Sequence, residues 1–309
     1  MIPMAQDTGT PIVWTTPSAS RDATRLSKWR SAVGPPLLVA GSKPAGAADD
    51  LTIVSWNTNL GAGELARFLA TLPAGPVVLL LQEVYREGPE VPARLPAEAA
   101  FARRKGGRAA GPGFEPIDRV AASIGLSVYY VPSMRNGGPA ASREDRGNAV
   151  LSNLPLEDPG AIELPFERQR RVALSASVRG LTAAGVPWRL RVVDAHLDNT
   201  FNPRRLWLAA EYGRARQARA LLAAVDRGEP LVLGGDFNTL SGFADAAYLP
   251  LARRFPSVPA TDRRATFLGL LRLDHMFFRL PAGWTATFRR AEERFGSDHY
   301  PLIASVHVK

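Results

Sequence analysis

Three of the four histidines sit beside carboxylates at short spacing: Asp194-Ala195-His196-Leu197-Asp198, Leu273-Asp274-His275 and Ser297-Asp298-His299. The fourth, His307, has no such company. A carboxylate can hold an imidazole in one tautomer or share a metal ion with it, and either arrangement serves hydrolysis near neutral pH. Between the first two clusters lies Gly234-Gly235-Asp236-Phe237-Asn238, at the end of an apolar run. Side chains two apart on an extended segment point the same way, so Asp236 and Asn238 are expected to emerge together, able to orient a water and a phosphoryl oxygen. The bland alternative is an Asx turn that satisfies loop backbone. Glu83 directly follows Leu79-Leu80-Leu81-Gln82. A carboxylate there is either a hydrogen-bonded strand terminus or a ligand for a hard cation such as magnesium. Asn57 and Asn59 repeat the pattern after Leu51–Trp56.

Alternation along strands sorts these groups further. If Leu273–Phe277 is extended, Asp274 and His275 face opposite ways, and Asp274 is the expected functional member. For Asp298 and His299 to share a site the backbone must bend, and Gly296 eases that bend. His196, flanked at two residues by Asp194 and Asp198, reads either as a functional group or as a satisfied strand histidine.

These groups need strands to carry them. Leu51–Trp56 and Val77–Gln82 read as buried strands, with Leu65, Leu69 and Leu72 between them on one helix face. Further strands are expected at 127–131, 148–151, 172–178, 188–195, 230–234, 274–278, 284–289 and 302–308. Residues 203–226 read as one long helix, with Gly228 beyond its end, and its Arg204, Arg205, Arg214, Arg216 and Arg219 as a solvated face. Strands outnumber helices and many lack a helical crossover, so two packed sheets flanked by helices are expected in place of a doubly wound sheet. Residues 1–49, rich in Thr, Ser, Pro, Gly and Ala, read as an extended or partly disordered lead-in, and 50–309 as the folded domain. Residues 86–116, with Arg103, Arg104, Lys105 and Arg108, read as an insertion: a solvated loop or a phosphate-contacting arm.

The chain has 309 residues, 46% hydrophobic and 22% charged, an ordinary globular composition. It contains no cysteine, which excludes disulfides, thiolate catalysis and cysteine-bound zinc. Its net charge of +9 suits polyanionic partners such as nucleic acid or anionic headgroups, or else reflects arginine as the preferred surface charge. No run has the length of a membrane span and no standard signal peptide is evident, so a cytoplasmic protein is expected, with a secreted one whose lead-in is a linker as the alternative; a monomer is expected.

In chain order, Ser55-Trp56-Asn57, Gln82-Glu83, Gly147-Asn148-Ala149-Val150-Leu151-Ser152, His196-Leu197-Asp198, Gly235-Asp236-Phe237-Asn238, Leu273-Asp274-His275 and Ser297-Asp298-His299 resemble the endonuclease/exonuclease/phosphatase family over roughly residues 50–309. The resemblance implies a four-layer α/β sandwich, two packed mixed β-sheets flanked by helices, with the site at one edge of the sheets. It implies a Mg²⁺-dependent phosphoesterase, with Mn²⁺ able to substitute. Glu83 is implied as the principal metal ligand, Asn57 as its support, and Asp298 as a second metal-side carboxylate. Asp236 and Asn238 are implied to orient the nucleophile and bind phosphate. His299 is implied as general base with Asp274 orienting it, and His196 as stabilising the transition state or leaving oxygen. Arg146 and Arg171 are further expected to bind substrate phosphate, the alternative for the arginines of 168–171 being salt bridges to Glu163 and Glu167. The substrate stays open between nucleic acid, a phospholipid of the sphingomyelin type and a small phosphoester, with a phosphodiesterase or nuclease placed first. A non-catalytic binding module on the same fold would have lost one of Glu83, Asp236, Asn238, Asp298 or His299, and all five are present.

Overall fold

Segments apolar on both faces must be covered on both faces. Leu51–Trp56 and Val77–Gln82 are such segments, and in the computed structural model they lie side by side at the centre of one sheet. The structure describes residues 11–93, 114–136, 143–199, 207–255 and 262–309. The strands are β1 Val13–Thr15, β2 Leu37–Val39, β3 Asp50–Asn57, β4 Val77–Glu87, β5 Ser127–Arg135, β6 Glu144–Ser152, β7 Leu156–Glu163, β8 Val172–Leu181, β9 Pro187–His196, β10 Leu231–Asp236, β11 Asp274–Arg279, β12 Thr285–Arg290 and β13 Leu302–His307. The helices are α1 Ser20–Arg30, α2 Leu65–Leu69, α3 Ile117–Ile124, α4 Trp207–Val225 and α5 Tyr248–Arg254.

The strands form a seven-stranded sheet, β12-β13-β3-β4-β6-β5-β2, and a six-stranded sheet, β1-β7-β8-β9-β10-β11. Between them lies a core that includes Ile53, Leu80, Val150, Leu174, Val192, Val232 and Phe278. Trp56, Leu79 and Leu81 on the outer face of the first sheet pack on Leu65 and Phe68 of α2 and Ile117 of α3. Val193, Leu233 and Phe277 on the outer face of the second pack on Ala218 and Leu221 of α4 and Leu251 of α5. Four layers result, as the two-sheet reading requires.

Two parallel pairs set the polarity. β3 runs parallel to β4 in one sheet and β9 parallel to β10 in the other. The carboxyl ends of β3, β9 and β10 carry Asn57, His196 and Asp236, and Glu83 lies within β4 at the same edge of the sandwich. β11 runs antiparallel to β10 with Asp236 opposite Asp274, so the start of β11 meets the end of β10. β13 runs antiparallel to β3 with Leu302 opposite Ser55, which brings the segment before β13 to the same edge.

The N-terminal region corrects an expectation. In place of a lead-in up to residue 49, the structure has α1 and two strands there. β1 pairs with β7 and β2 with β5, and Leu26 and Trp29 are buried. Three-residue edge strands are too short to show alternation in sequence, and their partners lie more than 80 residues away. The expected insertion also starts later than residue 86: Arg86 and Glu87 still pair with Asp145 and Glu144. Arg103, Arg104, Lys105 and Arg108, and Arg204 and Arg205, lie outside the described residues. Among the described residues no helix is long and apolar enough to cross a membrane.

Candidate active site

The strand ends just named surround a cavity of about 430 Å³. Asn57, Glu83, His196, Asp236, Asp298 and His299 form its polar part, with Asn238 beside them; Phe267, Leu271, Leu273 and Leu240 supply an apolar wall.

Glu83 reaches the cavity because β4 is irregular there. Its pairing with β6 slips between Leu81 and Val84, so Gln82 and Glu83 together oppose one residue. Glu83 takes a φ of 55°, in the left-handed region. In a regular strand Gln82 and Glu83 would face opposite ways; the bulge re-aims one of them. Gln82 points between the sheets, where its Nε2 donates to Asp194 Oδ1 at 2.6 Å. Glu83 faces the cavity, with Oε2 3.2 Å from Arg146 Nη1.

Asp236 is the hub. Its Oδ1 accepts from the Asn238 backbone N–H at 2.9 Å, an Asx turn that fixes the carboxylate. Its Oδ2 accepts from Asn57 Nδ2 at 3.0 Å and lies 3.5 Å from His196 Nε2 and 3.8 Å from His299 Nε2. The Asx turn therefore leaves the second carboxylate oxygen of Asp236 facing Asn57 and the two histidines. Asn238, at φ 50°, donates from Nδ2 to Leu197 O at 3.0 Å. Asn57 uses both ends of its amide, since its Oδ1 accepts from Asn59 N–H at 3.0 Å. It therefore holds Asp236 in place across the gap between the sheets.

His299 lies before β13 on a segment bent at Phe295 and Gly296, both at positive φ. A Cβ at residue 296 would lie 2.6 Å from Ala62 O, so glycine is needed there on both counts. Ser297 Oγ donates to Asn57 O at 2.7 Å and accepts from His299 N–H at 3.0 Å, while Trp56 Nε1 donates to His299 O at 3.1 Å. The ring is fixed by Asp274, whose Oδ2 lies 2.8 Å from Nδ1. With Nδ1–H donating to Asp274, Nε2 is left facing the cavity.

Charge is crowded in this space. Burial opposes the His299 imidazolium, but Asp274, by charge and hydrogen bond, with Asp236 and Asp298, outweighs burial and holds its pKa up to about 10. Burial and the Asp274 charge push Asp236 up to about 7, against the pull of His299 and its hydrogen-bond donors. Burial also raises Asp298; His299 opposes that shift and Glu83 adds to it. Asp274 Oδ1 is buried with no hydrogen-bond partner. An oxygen-rich, proton-holding cluster of this kind is the donor set a hard divalent cation takes. Asp236, Asp274 and His299 place ligand atoms within 4.8 Å of one another. Within that trio only His299 Nδ1 and Asp274 Oδ2 are hydrogen-bonded, while His299 Nε2 lies 3.8 Å from Asp236 Oδ2.

His275 faces away, as strand alternation requires. It packs among Phe237, Phe243 and Tyr248, bonded through Nε2 to Thr239 Oγ1 at 2.7 Å. Asp198 accepts from the backbone of Arg168 and Gln169. Arg171 is buried but does not line the cavity. Arg170 pairs with Glu163 and Arg216 with Glu167, the salt-bridge alternative for that region. Arg214, expected on a solvated face, is instead fully buried and lines the cavity. Its spacing to Ala218, Leu221 and Val225 puts it on the apolar stripe of α4, a signal that the arginine's charge hides.

Three solved structures share this fold. An endonuclease/exonuclease/phosphatase from Beutenbergia cavernae DSM 12333 has a TM-score of 0.56 at 19% identity, over 84% of this chain and 72% of that one. A functionally unknown conserved protein from Enterococcus faecalis V583 has 0.54 at 17%, over 84% and 100%. An endonuclease/exonuclease/phosphatase family protein from Leptotrichia buccalis C-1013-b has 0.53 at 15%, over 83% and 99%. No curated protein matches the chain. The sequence profile of the endonuclease/exonuclease/phosphatase family matches residues 54–299, a span that runs from β3 through every cavity residue to His299. The chain therefore belongs to the endonuclease/exonuclease/phosphatase family and is a phosphoesterase.

Proposed function

We propose that the protein is a divalent-cation-dependent phosphodiesterase acting on nucleic acid, with Mg²⁺ as the cation and Mn²⁺ as a substitute. The observation that carries this reading is the convergence of His299 Nε2 and His196 Nε2 on Asp236 Oδ2, at 3.8 and 3.5 Å, with Asp274 bonded to the other ring nitrogen of His299. Phosphoryl transfer asks the protein for an in-line nucleophile and charge stabilisation, and for little covalent chemistry. Asp236 and Asn238 orient a water in the cavity. His299 Nε2 takes its proton, while Asp274 keeps the ring in the productive tautomer. His196 donates to the phosphoryl oxygens as charge builds on them, and Arg146, which like Arg171 does not line the cavity, holds Glu83 from 3.2 Å. Glu83 and Asp298 would hold the cation, which when bound would supply Lewis acidity and offset the negative charge that keeps His299 protonated. Asn57 is a positioning residue that holds Asp236. The +9 net charge supports a polyanionic substrate.

A second reading, a phospholipid phosphodiesterase of the sphingomyelinase type, is favoured by one observation. Leu268, Leu270 and Leu271 are exposed on the turn whose Phe267 and Leu271 line the cavity, and Leu270 is 79% exposed. Apolar side chains so placed suit a bilayer interface.

The test is a screen with Mg²⁺ or Mn²⁺, with an EDTA control, against supercoiled DNA, single-stranded DNA, RNA, sphingomyelin vesicles and inositol phosphates. Metal-dependent cleavage of nucleic acid is expected. Activity that survives complete metal removal would overturn the mechanism, and activity confined to lipid would replace the first reading with the second.

A further inference from the structure

Arg214 is placed where a solvated arginine has no reason to be. It projects from α4 with a side chain only 1% exposed. Its Nη2 donates to Asp245 Oδ2 at 2.9 Å, and Asp245 Oδ1 is already taken by Ala247 N–H at 2.9 Å. Its Nε and Nη1 have no hydrogen-bond partner. Buried guanidinium donors left open are costly, and native structures fill them in nearly every case. Here the open donors belong to a side chain that lines the catalytic cavity, so an anionic oxygen entering the cavity is what can fill them.

Arg214 reaches the cavity from a different element than the reacting groups. Those come from β3, β4, β9, β10 and the segment before β13, whereas Arg214 comes from α4. No hydrogen bond or ion pair joins the Arg214–Asp245 pair to Asp236, Glu83 or His299 among the described residues. The neighbouring Gln217, one turn along, accepts from Asp198 N–H through Oε1 and donates to Pro165 O, which ties this face of α4 to the end of β9. The arginine is thus held rigidly on both sides, by Asp245 at its head and by packing along its helix.

We propose that Arg214 is a specificity-determining residue that binds a second phosphate of the substrate, one that is not cleaved. The inference rests on the phosphoesterase reading of the cavity and narrows its substrate class to esters bearing two or more phosphates, such as an oligonucleotide with a phosphate flanking the cut.

The test measures binding, so that it stands apart from turnover. Equilibrium affinities of thymidine 3′,5′-bisphosphate and thymidine 5′-monophosphate are compared by calorimetry, with inositol 1,4-bisphosphate as a third arm. The wild-type protein is expected to prefer a bisphosphate over the monophosphate by about tenfold or more, the worth of a charge-assisted hydrogen bond. Which bisphosphate wins identifies the scaffold. In Arg214→Met the preference is expected to vanish. Because that change leaves Asp245 buried and uncompensated, Arg214→Met/Asp245→Asn is measured beside it. A wild-type protein that does not distinguish bisphosphate from monophosphate overturns the proposal, as does a preference that persists in the folded double variant. If affinities behave as expected but no phosphoester is cleaved, the subsite stands and the catalytic reading falls.

Discussion

His299 Nδ1 and Asp274 Oδ2 lie 2.8 Å apart, yet they belong to different sheets: His299 leads into β13 and Asp274 begins β11. The pair therefore forms only when both sheets are in register at their shared edge. Asp274→Asn keeps the size of the side chain and removes its charge. Without that charge, burial weighs more on the His299 imidazolium and its pKa falls. Two results are expected: a loss of about 10²–10⁴-fold in kcat/KM, the usual worth of a positioned general base, and a basic-side shift of the His299 titration toward lower pH. Circular dichroism and ¹H–¹⁵N spectra of the imidazole check fold and titration together. A variant that is folded and fully active removes Asp274 from the mechanism.

Asp236, held up to about 7, and His299, held up to about 10, both retain protons near neutral pH when no cation neutralises the cluster. A divalent cation favours the deprotonated carboxylate and competes with the protons. Cation binding is therefore expected to release protons at pH 7, and affinity to rise with pH through that region. Calorimetric titration of Mg²⁺ or Mn²⁺ in buffers of different ionisation enthalpy reads the release directly. Heats that do not depend on the buffer would mean that the cation binds without touching these groups.

How much of this was legible in the sequence differs from residue to residue. Asp274 and His275 could be separated by strand alternation, because β11 is regular where they sit. Glu83 was expected just past a strand end, but β4 runs on to Glu87; the bulge that lets both Gln82 and Glu83 face inward leaves no mark in one strand, since it is a property of its pairing with β6. The Asn57–Asp236 bond joins residues 179 apart across two sheets, and only the packed structure brings them together. Arg214 carried a readable signal in its spacing to Ala218 and Leu221, but arginine on a helix ordinarily means solvent. α1 was hidden for a similar reason: its buried Leu26 and Trp29 stand among Ser, Arg and Lys, and its anchors Arg30–Glu163 and Arg216–Asp22 are long-range ion pairs.

Asp194 offers a test of stability in place of rate. It is completely buried between the sheets, and burial pushes its pKa well above the usual carboxylate value, with Gln82 and its own strand backbone opposing. Its Oδ2 and Gln82 Oε1 both lack partners; both are acceptors, and a protonated carboxyl adds the donor that a carboxylate lacks. The folded state then holds a proton that the unfolded state gives up above about pH 4. This contribution to stability is complete below the unfolded value and is lost as pH rises toward the folded one. Asp194→Asn carries the amide donor permanently. It is expected to raise the denaturation midpoint at pH 8 relative to wild type and to leave it nearly unchanged at pH 4. A variant destabilised equally at both pH values would show that the charge state of Asp194 does not matter.

Gly234 sets how closely the two sheets approach beneath the site. It sits in β10, two residues before Asp236, and a Cβ there would lie 2.9 Å from both Leu80 Cδ1 and Ser55 Cβ on the opposing sheet. The contact partners are core strands, so relief must come from moving β10 away from β3 and β4. That motion lengthens the Asn57–Asp236 bond, now 3.0 Å, and loosens the carboxylate on which the cavity is built. Gly234→Ala is expected to cost about 1–3 kcal/mol in urea unfolding, the usual penalty of overpacking, and to weaken cation binding as well. Gly46 provides the contrast: it is exposed, and a Cβ there meets nothing within 4 Å. Gly46→Ala should be neutral or stabilising by up to about 1 kcal/mol, through the unfolded chain alone. If both substitutions behave alike, the close approach of the sheets at residue 234 is not what holds Asp236 against Asn57.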